Sequence, residues 1–371
     1  MSHSCKKMII TFAALVMILS MALYVNTSSE KQSKDSPAIR VIKEYTKGKS
    51  NVKLTIGLLK RGEINYMVYG EGGKVLEPVE YDYEIGSISR VFTSSILCKA
   101  ISEGKINLED SIAKFLPLDE GSHYPNILSL ATHTSGYGGY PLNAPTLTEE
   151  QVKELDTRFY EKRQNIYRGI DQKEMMKRIK EHVIKEKNYG WESSDFGVSV
   201  LGMVLGKVYD SSFRQLAKDF IRHDLGLTHT RMGDGSGNLS NYWVWNHSDA
   251  YMASEGMVST VTDLLKYSRM QLGNTPKYLS LSHKTYMTFQ DKGLAMGLGW
   301  MINPKTGYLW HNGRTSSYTS FLGINSQNKS AVVILSNYPS KEGEEEGKIL
   351  DKLGNMLLDN LYNRDADMNE L

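Results

Sequence analysis

A buried helix with a serine at its start constrains this chain more than any other stretch. From Ile88 to Ala100 apolar residues recur every four positions, with further apolar residues between them. That spacing is typical of a helix buried on most of its sides, and Gly104 is expected to end it. The rest of the chain therefore has to pack around this helix.

Ser87 precedes the helix, at the positive end of its macrodipole, where backbone N–H groups can also stabilise a developing oxyanion. A catalytic serine needs a base, and an S-x-x-K spacing would place a lysine one turn later on the same face. Arg90 occupies that place. Because arginine keeps its proton in ordinary sites, Arg90 can orient an anion but cannot deprotonate Ser87. Taken alone, the stretch also fits a helix-capping serine followed by a surface arginine.

The composition is that of an ordinary globular protein and excludes several classes of function. With 371 residues, 40% of them hydrophobic and 23% charged, the chain is too long for a single small core, so we expect two closely packed lobes. The net charge is only +2, and the sequence has no stripe of basic residues with aromatic residues between them. Nucleic-acid binding is therefore not expected. Cys5 and Cys98 are not expected to form a disulfide, and no spacing suggests a metal site or any cofactor.

An apolar run over residues 8–25 follows Lys6 and Lys7 and precedes a polar linker at 26–37. Its length is near the lower limit for spanning a bilayer, and no clear small-x-small cleavage site follows it. We expect residues 1–25 to be an uncleaved anchor in the cell membrane. The lysines would stay inside and the domain would lie outside the cytoplasm. The alternative is a signal segment whose cleavage would secrete the domain.

Strands are expected near both ends of the domain, with helices between them. The expected strands are Leu54–Leu59 and Ile64–Tyr69, joined as a hairpin, then Tyr308–His311, Thr319–Ile324 and Ala331–Ser336. Terminal strand groups that must pair with each other predict an α+β fold. It would hold one antiparallel sheet of about five or more strands, from about 50–80 and 295–340, flanked by helices, and a mainly helical lobe at about 105–260.

Several segments, taken together in order and spacing, resemble the serine β-lactamase and penicillin-binding-protein superfamily. The resemblance is to the branch of class C β-lactamases, D,D-carboxypeptidases, D-aminopeptidases and esterases. The segments that carry it are residues 86–89, 102–110, 133–136, 225–230, 256–260, 297–300 and 311–313. The resemblance runs from about residue 38 to residue 340, and it implies a β-lactamase/D,D-peptidase-like domain over residues 38–365.

The resemblance implies three catalytic elements, of which the first two are altered here. The serine and its lysine map to Ser87 and Arg90. The Tyr-x-Asn loop maps to a segment with Ser193 in the place of the tyrosine and Asp195 in the place of the asparagine. Serine is too short and too weak an acid to exchange a proton as tyrosine does, and an ionised aspartate has no hydrogen to donate to a substrate carbonyl.

The third element, a strand carrying H-x-G, is matched intact by His311-Asn312-Gly313. Its edge is expected to hold an extended peptide, with Asn312, Gly313, Arg314, Thr315 and Glu255 in the substrate site. The family usually has small residues in the places of Glu255 and Arg314.

Glu255 and Arg314 are thus charged departures from the family pattern, in addition to those at Arg90 and Asp195. We hypothesise that the four form an ionic network filling a former substrate pocket. Scattered, solvent-exposed charges are the alternative.

Two functions stay open at this point. The first is a serine hydrolase in which Ser87 attacks a peptide or ester carbonyl, with slow turnover. The backbone N–H groups of Ser87 and of the 311–320 segment would hold the oxyanion, and His311 would substitute as base. Its substrate would be a peptidoglycan-like D-amino-acid peptide or a small ester or amide. The second is a pseudoenzyme that binds such peptides or a protein partner. The oligomeric state is unknown.

Overall fold

The computed structural model describes residues 35–119, 121–138, 148–182, 184–340 and 345–363. From Ala38 onward these residues belong to one compact unit. Within the described ranges no helix has both the length and the apolar character needed to cross a bilayer. The apolar run expected to form the anchor, residues 8–25, lies outside the described residues.

Most of the helices lie between two groups of strands near the ends of the domain, which is the order expected for an α+β domain. The helices are α1 (Pro37–Thr46), α2 (Ser89–Ser102), α3 (Ile127–Ala131), α4 (Glu149–Tyr160), α5 (Gln172–Glu181), α6 (Asp195–Val208), α7 (Phe213–Asp219), α8 (Met252–Glu255), α9 (Val261–Gly273) and α10 (Glu345–Asn363). The strands are β1 (Leu54–Lys60), β2 (Glu63–Tyr69), β3 (Val75–Leu76), β4 (Tyr83–Glu84), β5 (Arg231–Met232), β6 (Met257–Ser259), β7 (Met287–Phe289), β8 (Leu294–Met296), β9 (Met301–Ile302), β10 (Leu309–Arg314), β11 (Thr319–Asn325) and β12 (Ser330–Ser336).

The main sheet has the strand order β3-β2-β1-β12-β11-β10-β9-β8-β7 in the described part of the chain. Its pairings are antiparallel, and β1 pairs with β12 from Leu54 opposite Ser336 to Leu59 opposite Ala331. The first and last strand groups therefore meet in the middle of the sheet. The predicted fold class, an antiparallel sheet flanked by helices, is confirmed.

Both faces of the main sheet are covered, which explains why β1 and β12 are apolar along almost their whole length. Val332 and Ile334 of β12 pack into a cluster with α1 and α10. The alternating residues Val333 and Leu335 pack into the larger cluster on the other face, which includes α2 and α9. Successive side chains of a strand point to opposite faces, so a doubly covered strand needs apolar residues at every position.

Helix α2 is the buried helix that the sequence predicted, with 11 of its 14 residues buried. Its polar side chains are bonded internally: Thr93 donates to the carbonyl of Ala253 at 2.6 Å, and Ser95 pairs with the hydroxyl of Tyr267 at 2.7 Å. Ser87 lies in a short 3₁₀ turn, Gly86–Ile88, that leads into α2.

A second, three-stranded sheet in the order β4-β6-β5 was not predicted. Its strands have only two or three residues each, too few to give a period-2 pattern in the sequence. This small sheet is nevertheless what brings the two halves of the candidate site together.

Candidate active site

The small sheet places Ser87 beside Glu255, although the two residues are 168 positions apart. Strand β4 ends three residues before Ser87, and β6 begins two residues after Glu255. Glu84 of β4 pairs with Val258 of β6, and the amide of Ile85 continues the pairing by donating to the carbonyl of Met257 at 3.0 Å. The turn carrying Ser87 and the end of α8 are therefore held against each other by backbone hydrogen bonds.

Ser87 donates a hydrogen bond of 2.5 Å from its hydroxyl to Oε1 of Glu255. The same oxygen accepts from Nη2 of Arg90 at 2.8 Å and from Oγ of Ser254 at 3.2 Å. Glu255 is only 4% exposed. Burial, together with the negative charge of Asp195, raises its pKa to about 7, although Arg90 and the hydroxyl of Ser87 act in the opposite direction. Near neutral pH this carboxyl group can therefore exist in either protonation state.

Arg90 lies at the centre of the site and is 3% exposed. Its Nε donates to Ser254 at 3.1 Å and its Nη1 to Ser193 at 2.9 Å, while Nη2 is shared between Asp195 and Glu255. Burial opposes the positive charge, but the two carboxylates outweigh that effect and raise the pKa of Arg90. The guanidinium therefore stays protonated, as expected of arginine, and serves as a fixed fork of donors.

The predicted ionic network forms with three of its four members. Asp195 and Glu255 both bond to Arg90, whereas Arg314 pairs with Asp351 of α10 at 3.7 Å. The hypothesis was wrong for Arg314, because the C-terminal helix supplies a closer carboxylate. Arg90 and Glu255 are buried and the side chain of Asp195 is 13% exposed, so the alternative of scattered, exposed charges is also wrong for these three residues.

Tyr167 is a member of the site that the sequence did not indicate. Its hydroxyl donates to Oδ2 of Asp195 at 2.5 Å, and its ring stacks on Tyr251 with the centroids 4.9 Å apart. Burial and the nearby carboxylates raise its pKa well above the usual value of a tyrosine. Tyr167 precedes α5 in a segment without helix or strand periodicity, so no pattern could have indicated that it reaches Asp195.

His311 is poorly suited to the role of base that the sequence suggested. Its Nδ1 lies 2.6 Å from the carbonyl oxygen of Asn312, which can only accept, so this nitrogen carries the proton. Burial and the charge of Arg90 lower the pKa of His311 to about 3. Ser87 bonds to Glu255 instead, and the expectation that His311 replaces the missing lysine is not supported.

A cavity of about 560 Å³ opens beside Ser87 and runs along β10. The cavity is lined by Ser87, Arg90, His133, Phe159, Tyr160, Tyr167, Trp191, Glu192, Ser193, Asp195, Glu255, Lys292, Met301, Trp310 and His311–Arg314. Strand β9 pairs with β10 only at Leu309 and Trp310, so the β10 edge from His311 to Arg314 is not covered by β9. This edge borders the cavity in the place where the sequence predicted an extended peptide to bind.

The residues predicted to bind substrate are divided between the cavity and the interior. Glu255, Asn312, Gly313 and Arg314 line the cavity, and the side chain of Asn312 also donates to Asp351 at 2.8 Å. Thr315 is fully buried, and its hydroxyl donates to Oε2 of Glu84 at 2.7 Å. The side chain of Thr315 therefore braces the turn after β10 and does not face the cavity.

Gly86 and Gly313 permit a close approach between β10 and the turn that carries Ser87. Gly86 has φ +50°, and a β-carbon there would lie 2.6 Å from the backbone nitrogen of Arg314. A β-carbon on Gly313 would lie 1.9 Å from the carbonyl oxygen of Ile85. Both positions need glycine, because a side chain atom at either would separate the strand from the nucleophile turn.

A family model described as Beta-lactamase matches residues 40–354 of this chain. Protein flp of Staphylococcus aureus (strain MRSA252) is 23% identical over 287 residues, which cover 70% of this chain and 53% of flp. The chain thus spans about half the length of the flp proteins that it matches. A beta-lactamase of Pseudomonas fluorescens is 22% identical over 272 residues, covering 68% of this chain and 69% of that protein.

Among solved structures, a beta-lactamase/D-alanine carboxypeptidase from Pseudomonas syringae superimposes with a TM-score of 0.64. The match covers 87% of this chain and 98% of that one at 16% identity, so it shows a shared fold. The family model covers most of the chain and includes the serine turn, the β10 strand and the central sheet. The chain therefore belongs to the beta-lactamase family.

Proposed function

We propose that this protein is a serine hydrolase that transfers the acyl group of a peptide, amide or ester to Ser87. The observation that carries the proposal is the 2.5 Å hydrogen bond from the Ser87 hydroxyl to a buried carboxylate at the cavity wall. A serine nucleophile needs a proton acceptor within hydrogen-bond reach, and Ser87 has one. A serine that only capped a helix would bond to a backbone N–H instead.

The shape of the cavity supports an extended acyl substrate. The open edge of β10 offers backbone donors and acceptors along the cavity, in the manner of strand addition. The backbone of Arg314 lies against the turn of Ser87, where a second N–H for an oxyanion is needed. The relative from Pseudomonas syringae is described as a D-alanine carboxypeptidase. It supports a D-amino-acid peptide as the substrate class, with a small ester or amide as the alternative.

We expect turnover to be slow. The site lacks the lysine and the tyrosine that the family uses for proton transfer, and each such group contributes roughly 10²–10⁴-fold to a rate. These losses are not additive, because the groups act as a unit. A carboxylate is a weaker base than a neutral amine, so Glu255 would recover only part of the loss.

A binding protein without turnover is the second candidate, and one observation favours it. Arg90 occupies the lysine position as a permanent cation and holds Asp195 in place of a donor to the substrate carbonyl. Such a site would keep the cavity and the open edge of β10 for binding, but it would lack much of the proton-transfer chemistry that cleavage needs. D-amino-acid peptides or a protein partner would then bind without being cleaved.

Covalent labelling separates the two candidates. The chain would be incubated with a fluorophosphonate and with a fluorescent penicillin, and adducts would be read by intact mass beside a Ser87→Ala control. We expect one adduct per chain in the native protein and none in Ser87→Ala. A native protein that stays unlabelled but binds a D-alanyl-D-alanine peptide in a calorimeter would establish the binding protein instead.

We also propose that residues 8–25 anchor the domain at the outer face of the cell membrane. The apolar run behind Lys6 and Lys7 supports this orientation, since lysines stay on the cytoplasmic side. The test is fractionation of expressing cells, followed by protease treatment of intact spheroplasts. Recovery of the full-length chain in the soluble cytoplasmic fraction would contradict the proposal.

A further inference from the structure

We infer that Glu255 is the general base for Ser87, in the role that lysine plays in the family, and that Arg90 is the positioning residue that holds it. This inference rests on the proposed function and deepens it. It assigns the proton-transfer step to a residue that lies outside the S-x-x-K and Tyr-x-Asn positions. A replacement at a third position would explain how Ser87 stays activated when both usual partners are absent.

The geometry identifies the acceptor atom. Oε1 of Glu255 lies 2.5 Å from Oγ of Ser87, the short distance typical of a hydroxyl that donates to an ionised carboxylate. The same atom accepts hydrogen bonds from Arg90 and from Ser254, so its position is fixed by three donors. The backbone is fixed as well: the amide of Glu255 bonds to the carbonyl of Tyr251 at 3.1 Å. A carboxylate held in this way needs no rearrangement to take a proton.

The charges that face Glu255 come from several elements. Arg90 of α2 is the cation, and Asp195 at the start of α6 is the second carboxylate. His133 and His311 border the same cavity, and burial keeps the pKa of each below its usual value, so neither adds a positive charge near neutral pH. Tyr167 donates to Asp195 and keeps its own proton. The acidic Glu192 and the basic Lys292 also line the cavity. Within the network itself, with Glu255 ionised, one cation balances two carboxylates, which favours uptake of one proton.

The pKa of Glu255, raised to about 7 by burial and by Asp195, matches this role. A general base works best when its pKa lies near the working pH, because it is then ionised and still accepts a proton readily. An ordinary glutamate, with a pKa near 4.3, would be a much weaker base.

Three other polar groups of the cavity are engaged elsewhere. His311 directs its protonated Nδ1 to a carbonyl, and Ser193 accepts from Arg90. Tyr167 is bonded to Asp195 rather than to the nucleophile. Among the described residues, Glu255 is thus the titratable group in hydrogen-bond contact with the hydroxyl of Ser87.

The reaction balances with water as the only co-reactant. As Oγ of Ser87 bonds to the substrate carbonyl carbon, its proton passes to Oε1 of Glu255 and the carbonyl π electrons move to oxygen. Collapse of this intermediate breaks the bond to the leaving amine or alcohol, which takes the proton from Glu255. Water then attacks the acyl-serine ester and gives a proton to Glu255. That proton returns to Oγ of Ser87 as the acid product leaves.

The test measures the rate of Ser87 labelling by the fluorophosphonate from pH 5 to pH 9 in the full chain. We expect the native rate to rise with pH and to level off above about 7, because the ionised form of Glu255 is the active one. Glu255→Gln should lower the rate at pH 8 by at least 100-fold and remove the pH dependence. Ser87→Ala marks the background.

Asp195→Asn is the matched comparison, since Asp195 also bonds to Arg90 but does not contact Ser87. Removing its negative charge should leave the rise of the profile in place and move its midpoint to lower pH. Labelling of Glu255→Gln at the native rate would overturn the inference while leaving Ser87 as the nucleophile.

A native profile that is flat from pH 5 to pH 9 would show that Glu255 does not titrate in this range, and the rate of Glu255→Gln at pH 8 would then decide the inference alone. Absence of native labelling at every pH would instead remove the proposed function itself.

Discussion

Arg90 is the residue on which the buried charges of the site depend. It is the cation that compensates both Asp195 and Glu255, and its side chain is 4% exposed. A buried carboxylate without a partner costs several kcal/mol, whereas a solvated one costs almost nothing. Removing Arg90 should therefore disrupt the whole network, and its first effect should be on the stability of the protein rather than on its activity.

We predict that Arg90→Met lowers the free energy of unfolding at pH 7.5 by about 3–5 kcal/mol, because the buried Glu255 and the largely buried Asp195 lose the cation that compensates their charges. The measurement is urea denaturation followed by tryptophan fluorescence. The control is Lys114→Met, which removes an exposed pair with Asp110 in which the lysine side chain is 54% exposed. It should cost less than about 1 kcal/mol. Equal losses in the two variants would contradict a structural role for the network.

At the scale of elements, the approach of β10 to the serine turn depends on Gly86. A β-carbon there would meet the backbone of Arg314 at 2.6 Å, and backbone cannot move aside as a flexible side chain can. The same turn leads into α2 and is tied to β11 by Ser320, whose hydroxyl donates to the carbonyl of Ile85 at 2.9 Å. Displacing β10 therefore means displacing the sheet from the helix that carries the nucleophile.

We predict that Gly86→Ala reduces the rate of Ser87 labelling by at least tenfold and destabilises the protein by more than Gly48→Ala does. Both glycines have positive φ, +50° and +70°, but a β-carbon on Gly48 would meet nothing within 4 Å. Gly48→Ala thus measures the backbone cost alone, about 1 kcal/mol, and the difference measures the clash. Thermal melts and labelling rates check both effects. Identical behaviour of the two variants would show that the approach of β10 is unimportant.

The elements differ in how well the sequence predicts them, and the reason is length. The long helix α2 and the strands of the central sheet repeat their apolar pattern often enough to be recognised. The strands β4, β5 and β6 do not, yet their pairing decides that Ser87 meets Glu255. The sequence could flag Glu255 as an unusual charge beside Gly256, but the contact itself depends on pairing between distant segments. Likewise, nothing local indicated that Asp351 would draw Arg314 away from the network.

At the scale of the whole molecule, the buried acids and the buried histidines change the stability of the fold in opposite directions as pH changes. Burial raises the pKa of Glu84 and of Glu255 to about 7. An acid with a raised pKa contributes stability below its unfolded value, near 4.5, and that stability is lost as pH rises through 7. His133 and His311 have lowered pKa values, so the folded state loses stability as pH falls below about 6.5. We expect the two effects to compensate partly between pH 4.5 and 6.5.

We predict that Glu255→Gln gains stability relative to the native protein as pH rises from 4.5 to 7.5. The gain should approach 3 kcal/mol in order of magnitude, since each unit of pKa corresponds to about 1.4 kcal/mol and the shift is from 4.5 to about 7. Denaturant unfolding at pH 4.5, 6 and 7.5 gives the difference. A constant difference across that range would mean that Glu255 titrates normally in the folded protein.

The pairing of β1 with β12 also sets an order of events during synthesis. Leu54 emerges from the ribosome long before its partner Ser336, so the β1–β2 hairpin must wait with one edge open while the helical segments are made. Contacts of such high sequence separation form slowly, and an exposed apolar edge invites pairing with another chain. Until β11 and β12 are complete, we therefore expect the nascent chain to need a chaperone that prevents aggregation. Nonsense mutations late in the gene should yield aggregates rather than partly active fragments.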